Sequence, residues 1–480
     1  MLRAVCISRH VINRRPLRPV LQQCRQLLTL AIETSCDDTC VAILEKHDLA
    51  GAQQGIHDAP KTQAQLHFNE KLTAANTGLG GIHPLESLDS HHAHLAKLVK
   101  RSLHFLPEAT GADVPPTKLV HDPDGVPRVK PDFISVTRGP GMRSNLACGL
   151  STAKGLAAAW SVPLLGVHHM QAHALTPRLV SALASTPSTP ATPAFPFLNL
   201  LISGGHTLLL HSHSLTSHTT LATTLDIAIG DCLDKCGRTL LPPSLLASTT
   251  DTAYGKHLSN YAFPDPALFE TYYPISRSRH AELLKPNHPN YDWSFQLPLG
   301  NTRQLAFSFT GICSRVGGLV NKRPGGSAAV PEGERLALAR TALGTAFEHL
   351  TSRIIIALST LSANSSTSNQ AMPKTLVVSG GVAANAFLRY FLRATLDARG
   401  FEDVELVFPP PELCTDNAAM IGWCGMEMYE AGWRTGLEVG VVRKWGMGGG
   451  GVGAEENGKI DDEARGGGIL GLPGWYRVES

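Results

Sequence analysis

Short apolar runs and longer stretches of helical periodicity alternate along the chain. Leu28 to Ile32 is one such run; it ends in the polar string Glu33-Thr34-Ser35-Cys36-Asp37-Asp38-Thr39 before Val41 to Leu44 resumes the β-type pattern. Two strand-like runs joined by a short polar segment predict a hairpin with an acidic, hydroxyl-rich tip. Phe133 to Val136 leads into Thr137-Arg138-Gly139-Pro140-Gly141, and an alanine-rich stretch follows from Leu146 to Trp160. That order predicts a strand, a glycine turn and a helix whose first backbone amides are free to meet an anion. Val162 to Val167 predicts the next strand, and a further helix begins at His168. Strands alternating with helices predict an α/β fold.

Two later runs end alike. Phe197 to Ile202 runs into Ser203-Gly204-Gly205, and Leu376 to Val378 runs into Ser379-Gly380-Gly381. Small residues at a strand end let backbone N–H groups approach a phosphate, because no side chain stands between. One Gly-Gly after a strand is commonly no more than a turn. A pair of them suggests duplication, with two lobes facing one nucleotide.

Elsewhere the pattern loosens. Ser181 to Pro193 is rich in Ser, Thr and Pro, residues 104–131 carry several prolines, and Ser362 to Ser368 is almost wholly Ser, Thr and Asn. These compositions predict surface insertions. From Gly446 onward the glycine runs 448–451 and 466–468 predict a flexible tail without a phosphate role, since no strand precedes them. The expected division is a leader over 1–27, a first lobe over 28–175, a second lobe over 195–430 with a helical insertion near 240–340, and the tail over 446–480.

With 480 residues, 43% of them hydrophobic and 17% charged, the chain has the material for two buried cores. No stretch reaches the roughly 18 unbroken apolar residues that span a bilayer, so no membrane partner is expected. Ten cysteines follow no regular framework, which predicts reduced thiols. Cys232 and Cys236 stand one helical turn apart and could touch a metal, but with no second cysteine pair or histidine near them in the sequence they are not expected to be ligands.

The first 32 residues hold Arg3, Arg9, Arg14, Arg15, Arg18 and Arg25 and no acidic residue. That is the composition of a mitochondrial presequence, with a basic tail as the plainer alternative. Without those six arginines the formal charge passes from +2 to −4, so a nucleic acid must be held by local patches and not by a general field. Arg277, Arg279 and His280 form one cluster, and Lys322 with Arg323 another; each taken alone is more often solvated surface.

The most specific chemistry lies in His168-His169-Met170-Gln171-Ala172-His173. On a helix, His169 and His173 share one face and both reach a divalent cation. Paired core or surface histidines are the plainer reading. A third candidate, Asp416 in Cys414-Thr415-Asp416-Asn417, precedes the apolar stretch Ala418 to Met428. Two imidazoles and a carboxylate suit zinc or iron, with positions left open for substrate. A His-Glu-x-x-His protease is disfavoured because Met170 follows His169, and no Gly-x-x-x-x-Gly-Lys-Ser/Thr phosphate loop is present.

Six strings, Ile32 to Thr39, Val167 to His173, Leu201 to Thr207, Phe307 to Gly311, Ser379 to Asn385 and Cys414 to Met420, together resemble the tRNA threonylcarbamoyladenosine transferases. With its basic leader the chain is similar to their mitochondrial branch. The resemblance implies an α/β, actin-like ATPase fold of the sugar kinase, Hsp70 and actin kind, in which two lobes with mixed sheets are flanked by helices. It implies transfer of the threonylcarbamoyl group of threonylcarbamoyl-AMP to N6 of adenosine-37 in tRNAs that read ANN codons, releasing AMP. Partners are then tRNA, threonylcarbamoyl-AMP and a second copy of the chain, in the mitochondrial matrix.

The family's metal ligands fall on His169, His173 and Asp416, for one divalent cation, zinc or iron. Its substrate positions fall on Leu201, Ile202, Ser203, Gly204, Gly205, Asp234, Gly255 and Asn385, with Gly255 in an altered setting, Ala253-Tyr254-Gly255-Lys256. The catalytic base is unassigned among Glu33, Asp37, Asp38 and His91. Asp231 replaces a usual glutamate, Gln171 a common acidic residue and Cys313 a usual lysine. Competing readings are an ATP-dependent small-molecule kinase of the same fold, a non-catalytic scaffold that binds nucleotide or DNA, and a glycoprotease-like metalloprotease.

Overall fold

The computed structural model describes residues 25–49, 61–75, 83–109, 114–184, 191–249, 253–284, 287–368, 371–448 and 468–479. The leader expected over 1–27 lies outside them except for Arg25, Gln26 and Leu27, which already belong to the first strand.

The first lobe opens with β1 (Arg25–Glu33), β2 (Asp38–Leu49) and β3 (Lys61–Thr73), an antiparallel meander. After α1 (Pro84–Ser102) comes a small hairpin, β4 (Leu119–His121) with β5 (Pro127–Val129), inside the proline-bearing stretch 104–131. Then follow β6 (Phe133–Gly139), α2 (Arg143–Trp160), β7 (Leu164–His168) and α3 (His169–Leu183). Strand β6 lies parallel to β1, and β7 parallel to β6.

Period-two alternation decides which face each residue takes. Leu28, Leu30 and Ile32 join Val41, Ile43 and Leu150 in one core, while Ala31, Ala42 and Leu44 join Leu175 and Trp423 in another. The sheet is therefore buried on both faces. Each fully buried Leu or Ile contributes about 1.5–3 kcal/mol, and Leu30, Ile32 and Ile43 are completely buried.

The second lobe repeats the plan. Strands β8 (Phe197–Ile202), β9 (Thr207–Ser212) and β10 (His218–Thr223) form an antiparallel meander. The helices that follow are α4 (Ile229–Leu240), α5 (Pro243–Ser248), α6 (Tyr254–Ala262), α7 (Phe269–Tyr272), α8 (Arg279–Leu283), α9 (Thr310–Asn321) and α10 (Glu332–Ser368). Next come β11 (Thr375–Ser379), α11 (Ala386–Ala398), β12 (Glu405–Val407), α12 (Pro411–Cys414) and α13 (Ala418–Glu430), then β13 (Trp433–Thr435) and β14 (Trp475–Arg477).

Strand order exposes the duplication. The first sheet runs β14-β13-β7-β6-β1-β2-β3 and the second β10-β9-β8-β11-β12. Read from the meander side, β3-β2-β1-β6-β7 and β10-β9-β8-β11-β12 have the same order and directions, three antiparallel strands and then two parallel ones. Two lobes of mixed sheet flanked by helices are the fold class the resemblance implied. Helices α3 and α13 lie in the layer between the sheets, where Leu175 and Met420 share a core with Leu201 and Val377 of the second sheet.

Two expectations change. Ser362 to Ser368 is no insertion: it finishes α10, a helix of 37 residues. Hydroxyls there and just before it bond within their own helix instead of breaking it, Ser365 donating to the Ser362 carbonyl, Ser359 to Ile355 and Thr360 to Ile356. Nor is the segment beyond Gly446 wholly a tail, because β14 pairs with β13, and β13 in turn with β7. Ile469 is completely buried and Trp445 and Met447 nearly so. No helix among the described residues is long and apolar enough to cross a membrane.

Candidate metal centre

Helix α3 starts where β7 ends, so His169 stands in its first turn, and His173 follows one turn on. Their rings meet edge to face, centroids 4.7 Å apart at 89°. Asp416 occupies the turn before α13, whose N-terminus is capped by Asn417 accepting the Met420 N–H at 3.0 Å. This cap holds Asp416 against α3: its Oδ1 lies 3.1 Å from His173 Nε2 and 3.5 Å from His169 Nε2. One ligand atom from each residue falls within 4.8 Å of the others, and no other such group of three occurs among the described residues.

A second layer orients the first. Glu33, completely buried at the end of β1, places Oε2 3.2 Å from His169 Nδ1 and accepts from the Ser35 N–H and the Thr137 hydroxyl. Ser35 Oγ lies 3.3 Å from the same Nδ1. His169 therefore turns Nε2 toward Asp416. Burial works against charge on all three groups, yet their mutual attraction prevails. Burial alone depresses His169, but the Glu33 and Asp416 carboxylates carry it up to about 9. Asp416 is raised by burial and drawn well below the ordinary carboxylate range by His169 and His173. Glu33 likewise ends below its usual value: burial raises it, and His169 more than offsets that.

A buried group of anions that gathers positive charge this strongly suits a cation. The donor set fits zinc or iron, and His173 Nδ1 is buried without a hydrogen-bond partner, so Nε2 is the nitrogen engaged at the site. Lys71 Nζ marks the rim, 3.1 Å from both Asp38 Oδ2 and Thr415 Oγ1.

The four candidates for a base are all engaged within the first lobe. Glu33 orients His169. Asp38 bonds Lys71 and the Thr73 hydroxyl. His91 places Nδ1 2.7 Å from Thr39 Oγ1 and Nε2 2.9 Å from the Cys36 carbonyl, bracing the hairpin tip with both nitrogens. Asp37 sits in that tip, its carbonyl accepting from the Ala74 N–H.

The two Ser-Gly-Gly turns do not face each other from separate lobes. They end β8 and β11, adjacent parallel strands of one sheet, with Ser379 in register with Leu201. The first lobe's counterparts are Thr34 to Asp37 after β1 and Gly139-Pro140-Gly141 at the end of β6. Small residues mark strand ends without saying which sheet the strands join. At Gly380, φ is +95° and a Cβ would stand 2.3 Å from the Ile202 carbonyl oxygen, so packing of the two strands demands glycine there. Gly204 and Gly205 differ: a Cβ on either meets open space.

Ser203 Oγ accepts the N–H groups of Gly205 and His206. His206, quoted in its motif but given no role by the sequence, faces the centre from the second lobe. Its imidazole is solvent-accessible yet deep enough in the cleft for burial to lower its pKa, with the charges of His169 and His173 adding to the effect. The remaining candidates gather behind this turn. The first turn of α4 packs on Ser203, the Gly230 N–H donating to its carbonyl at 3.1 Å. Asp234, one turn on, accepts the Gly255 N–H at 2.7 Å, and Gly255 is so close to Leu233 that a Cβ would stand 2.7 Å from the leucine's own. Asn385 caps α11 through the Leu388 N–H at 3.0 Å.

The departures have plain settings. Asp231 pairs with Lys235, Gln171 donates to the Leu215 carbonyl across the interlobe layer, and Cys313 Sγ donates to the Thr310 carbonyl inside α9. Cys232 and Cys236 lie in the core of the second lobe, with Leu200 and Ile229. Two basic residues are engaged internally: Arg279 by Glu282 and Ser352, Arg323 by Glu334. Arg277 and Lys322 remain exposed.

Comparison with known proteins adds a family. The model described as TsaD, tRNA N6-adenosine threonylcarbamoyltransferase, matches residues 64–423. A mitochondrial tRNA N6-adenosine threonylcarbamoyltransferase of Schizosaccharomyces pombe is 35% identical over 88% of this chain and 87% of its own. One from Danio rerio, also named mitochondrial, is 30% identical over 85% and 84%. A Cereibacter sphaeroides enzyme of the same name is 31% identical over 88% and 94%. Among solved structures, a hexokinase overlaps 84% of this chain and 85% of its own at 11% identity with a TM-score of 0.34; the fold assignment rests on strand order and not on that overlap.

Proposed function

The chain belongs to the tRNA N6-adenosine threonylcarbamoyltransferase family, and from that premise we propose that it transfers the threonylcarbamoyl group of threonylcarbamoyl-AMP to N6 of adenosine-37 in mitochondrial tRNAs that read ANN codons. The observation that carries this reading is the pairing of the His169, His173 and Asp416 cluster on one lobe with the open Ser203 to His206 turn on the other.

His169, His173 and Asp416 would hold one divalent cation, zinc or iron, and such a cation supplies Lewis acidity toward phosphate and carbonyl oxygens. Gly204 and Gly205 leave the main chain bare, so a substrate's acyl or phosphate oxygens can lie against it. Asp234 and Asn385, with Gly255 beneath Asp234, extend that surface along the starts of α6 and α11 toward the ribose and adenine. The adenosine amine is a weak nucleophile, so holding it in line with the activated carbonyl supplies much of the rate. Glu33, Asp37, Asp38 and His91 are bonded inside the first lobe, and His206 is the imidazole on the substrate side.

Mitochondrial residence is supported by the names of the Schizosaccharomyces pombe and Danio rerio relatives and by the arginine-rich leader. A homodimer completes the proposal, and light scattering on the purified protein tests it. The activity test incubates the protein with threonylcarbamoyl-AMP and unmodified mitochondrial tRNA, digests the RNA and measures N6-threonylcarbamoyladenosine. Product is expected from the parent and not from a His169→Ala, His173→Ala double variant that keeps its circular dichroism. Equal product from both overturns the assignment.

A further inference from the structure

The metal-centre reading extends beyond its three ligands: we propose that His168 is a positioning residue, clamped at Trp445 by the segment that follows β13, and that it sets the start of the metal-binding helix.

The imidazole of His168 occupies the N-cap position of α3, a place usually filled by Ser, Thr, Asp or Asn. Its Nδ1 accepts the N–H groups of Met170 at 3.1 Å and Gln171 at 3.3 Å. A nitrogen that accepts two amide hydrogens carries none itself, so the ring hydrogen sits on Nε2. Nε2 lies 3.0 Å from the Trp445 carbonyl oxygen and donates to it. All three bonds require the same neutral tautomer. They hold the ring between the helix start and the later segment, and the Trp445 indole covers it with centroids 4.6 Å apart. His168 is completely buried.

The partner carbonyl is itself held. Residues 436–448 run as a strap over the end of β6: the Val442 N–H donates to the Arg138 carbonyl at 2.9 Å, and the Gly141 N–H to the Arg443 carbonyl at 3.2 Å. Arg138 donates through Nε to the Gly440 carbonyl and lies over the Trp445 ring. Trp445 Nε1 donates to the Gly468 carbonyl. The approach is so close that a Cβ on Gly139 would stand 2.0 Å from the Val442 carbonyl oxygen. Beyond Trp445 the strap reaches the second sheet, where Gly448 bridges His218. Both lobes thus brace the carbonyl that holds the cap.

The consequence falls on His169, the next residue. Its Nε2 meets Asp416 only while the first turn of α3 stays seated, and the cap fixes that turn. The strap lies outside residues 64–423 that the family model matches, so part of what shapes the centre comes from sequence beyond that span.

The test uses the full chain stripped of metal and titrated with Zn²⁺ against a competing chelator, alongside urea unfolding of the metal-free proteins. His168→Ala loses all three bonds and is expected to bind Zn²⁺ about 10–100-fold more weakly. His168→Asn keeps a capping oxygen but not the reach to Trp445, and is expected between the parent and the alanine variant. It also keeps the test alive if the alanine variant does not fold. Equal affinity in the parent and the folded variants overturns the positioning role and leaves the metal-centre reading standing. A parent that binds neither Zn²⁺ nor Fe²⁺ overturns both.

Discussion

Glu33 and His169 meet with Oε2 3.2 Å from Nδ1, and this contact decides which nitrogen of His169 faces the cleft. Carboxylates behind metal-binding imidazoles fix the tautomer and raise the basicity of the ligand nitrogen. Glu33→Ala is expected to weaken Zn²⁺ binding about 10–100-fold, with Glu33→Gln intermediate because an amide oxygen still accepts from Nδ1–H. Competitive chelator titration reads the difference.

The glycines of the two Ser-Gly-Gly turns should respond in opposite ways. Gly380→Ala places a methyl against the Ile202 carbonyl at a left-handed φ, and is expected to cost about 2–4 kcal/mol in urea unfolding. Gly205→Ala meets nothing in the folded chain. Its stability should change by less than about 0.5 kcal/mol, while KM for threonylcarbamoyl-AMP rises because the methyl occupies the open surface.

Asn385 separates a cap from a contact. Asn385→Ala removes the bond to the Leu388 N–H and is expected to cost about 1 kcal/mol. Asn385→Asp keeps the capping oxygen and loses the amide donor. That second variant is expected to unfold at the same urea concentration as the parent and to bind threonylcarbamoyl-AMP more weakly, the binding being measured by calorimetry.

His349 makes the second lobe acid-sensitive. Burial, then the positive Arg353, lowers its pKa to about 3, and its Nε2 accepts the Ser308 N–H at 3.0 Å. The unfolded chain binds this proton near pH 6.5 and the folded chain does not until about pH 3, so the stabilisation is complete above pH 6.5 and falls as pH drops toward 3. The slope is about 1.4 kcal/mol per pH unit, roughly 2 kcal/mol at pH 5. His349→Gln, which keeps an acceptor, should flatten that part of the urea midpoint profile.

Much of the first lobe was legible because its signals are local. The run Leu28 to Ile32, the polar tip after it and the imidazoles of His169 and His173 need only a period or a one-turn spacing. Asp416 was harder: it lies 243 residues from His173, so the sequence offered it as a third candidate by residue type alone and the resemblance then put it with the two histidines. The sheet membership of the two Ser-Gly-Gly turns was illegible, since strand pairing is a long-range property that small residues do not encode. Ser362 to Ser368 misled because a long apolar-faced helix carried its register through residues that favour loops when alone. Arg279 and Arg323 look like surface charge; their partners Glu282 and Glu334 are near in sequence, and what the sequence hides is that both carboxylates are buried. Glu33 had the right chemistry for a base, and only the 3.2 Å contact with His169 gives it a different task.

Strands β13 and β14 give the first sheet its outer border, although they come from the last part of the chain. A ribosome makes β7 hundreds of residues before the strand that covers its free side. Until then the N-terminal half carries an unprotected ladder of amides and carbonyls, the kind of surface that recruits chaperones or sticks to itself. Truncation late in the gene therefore injures the portion translated first.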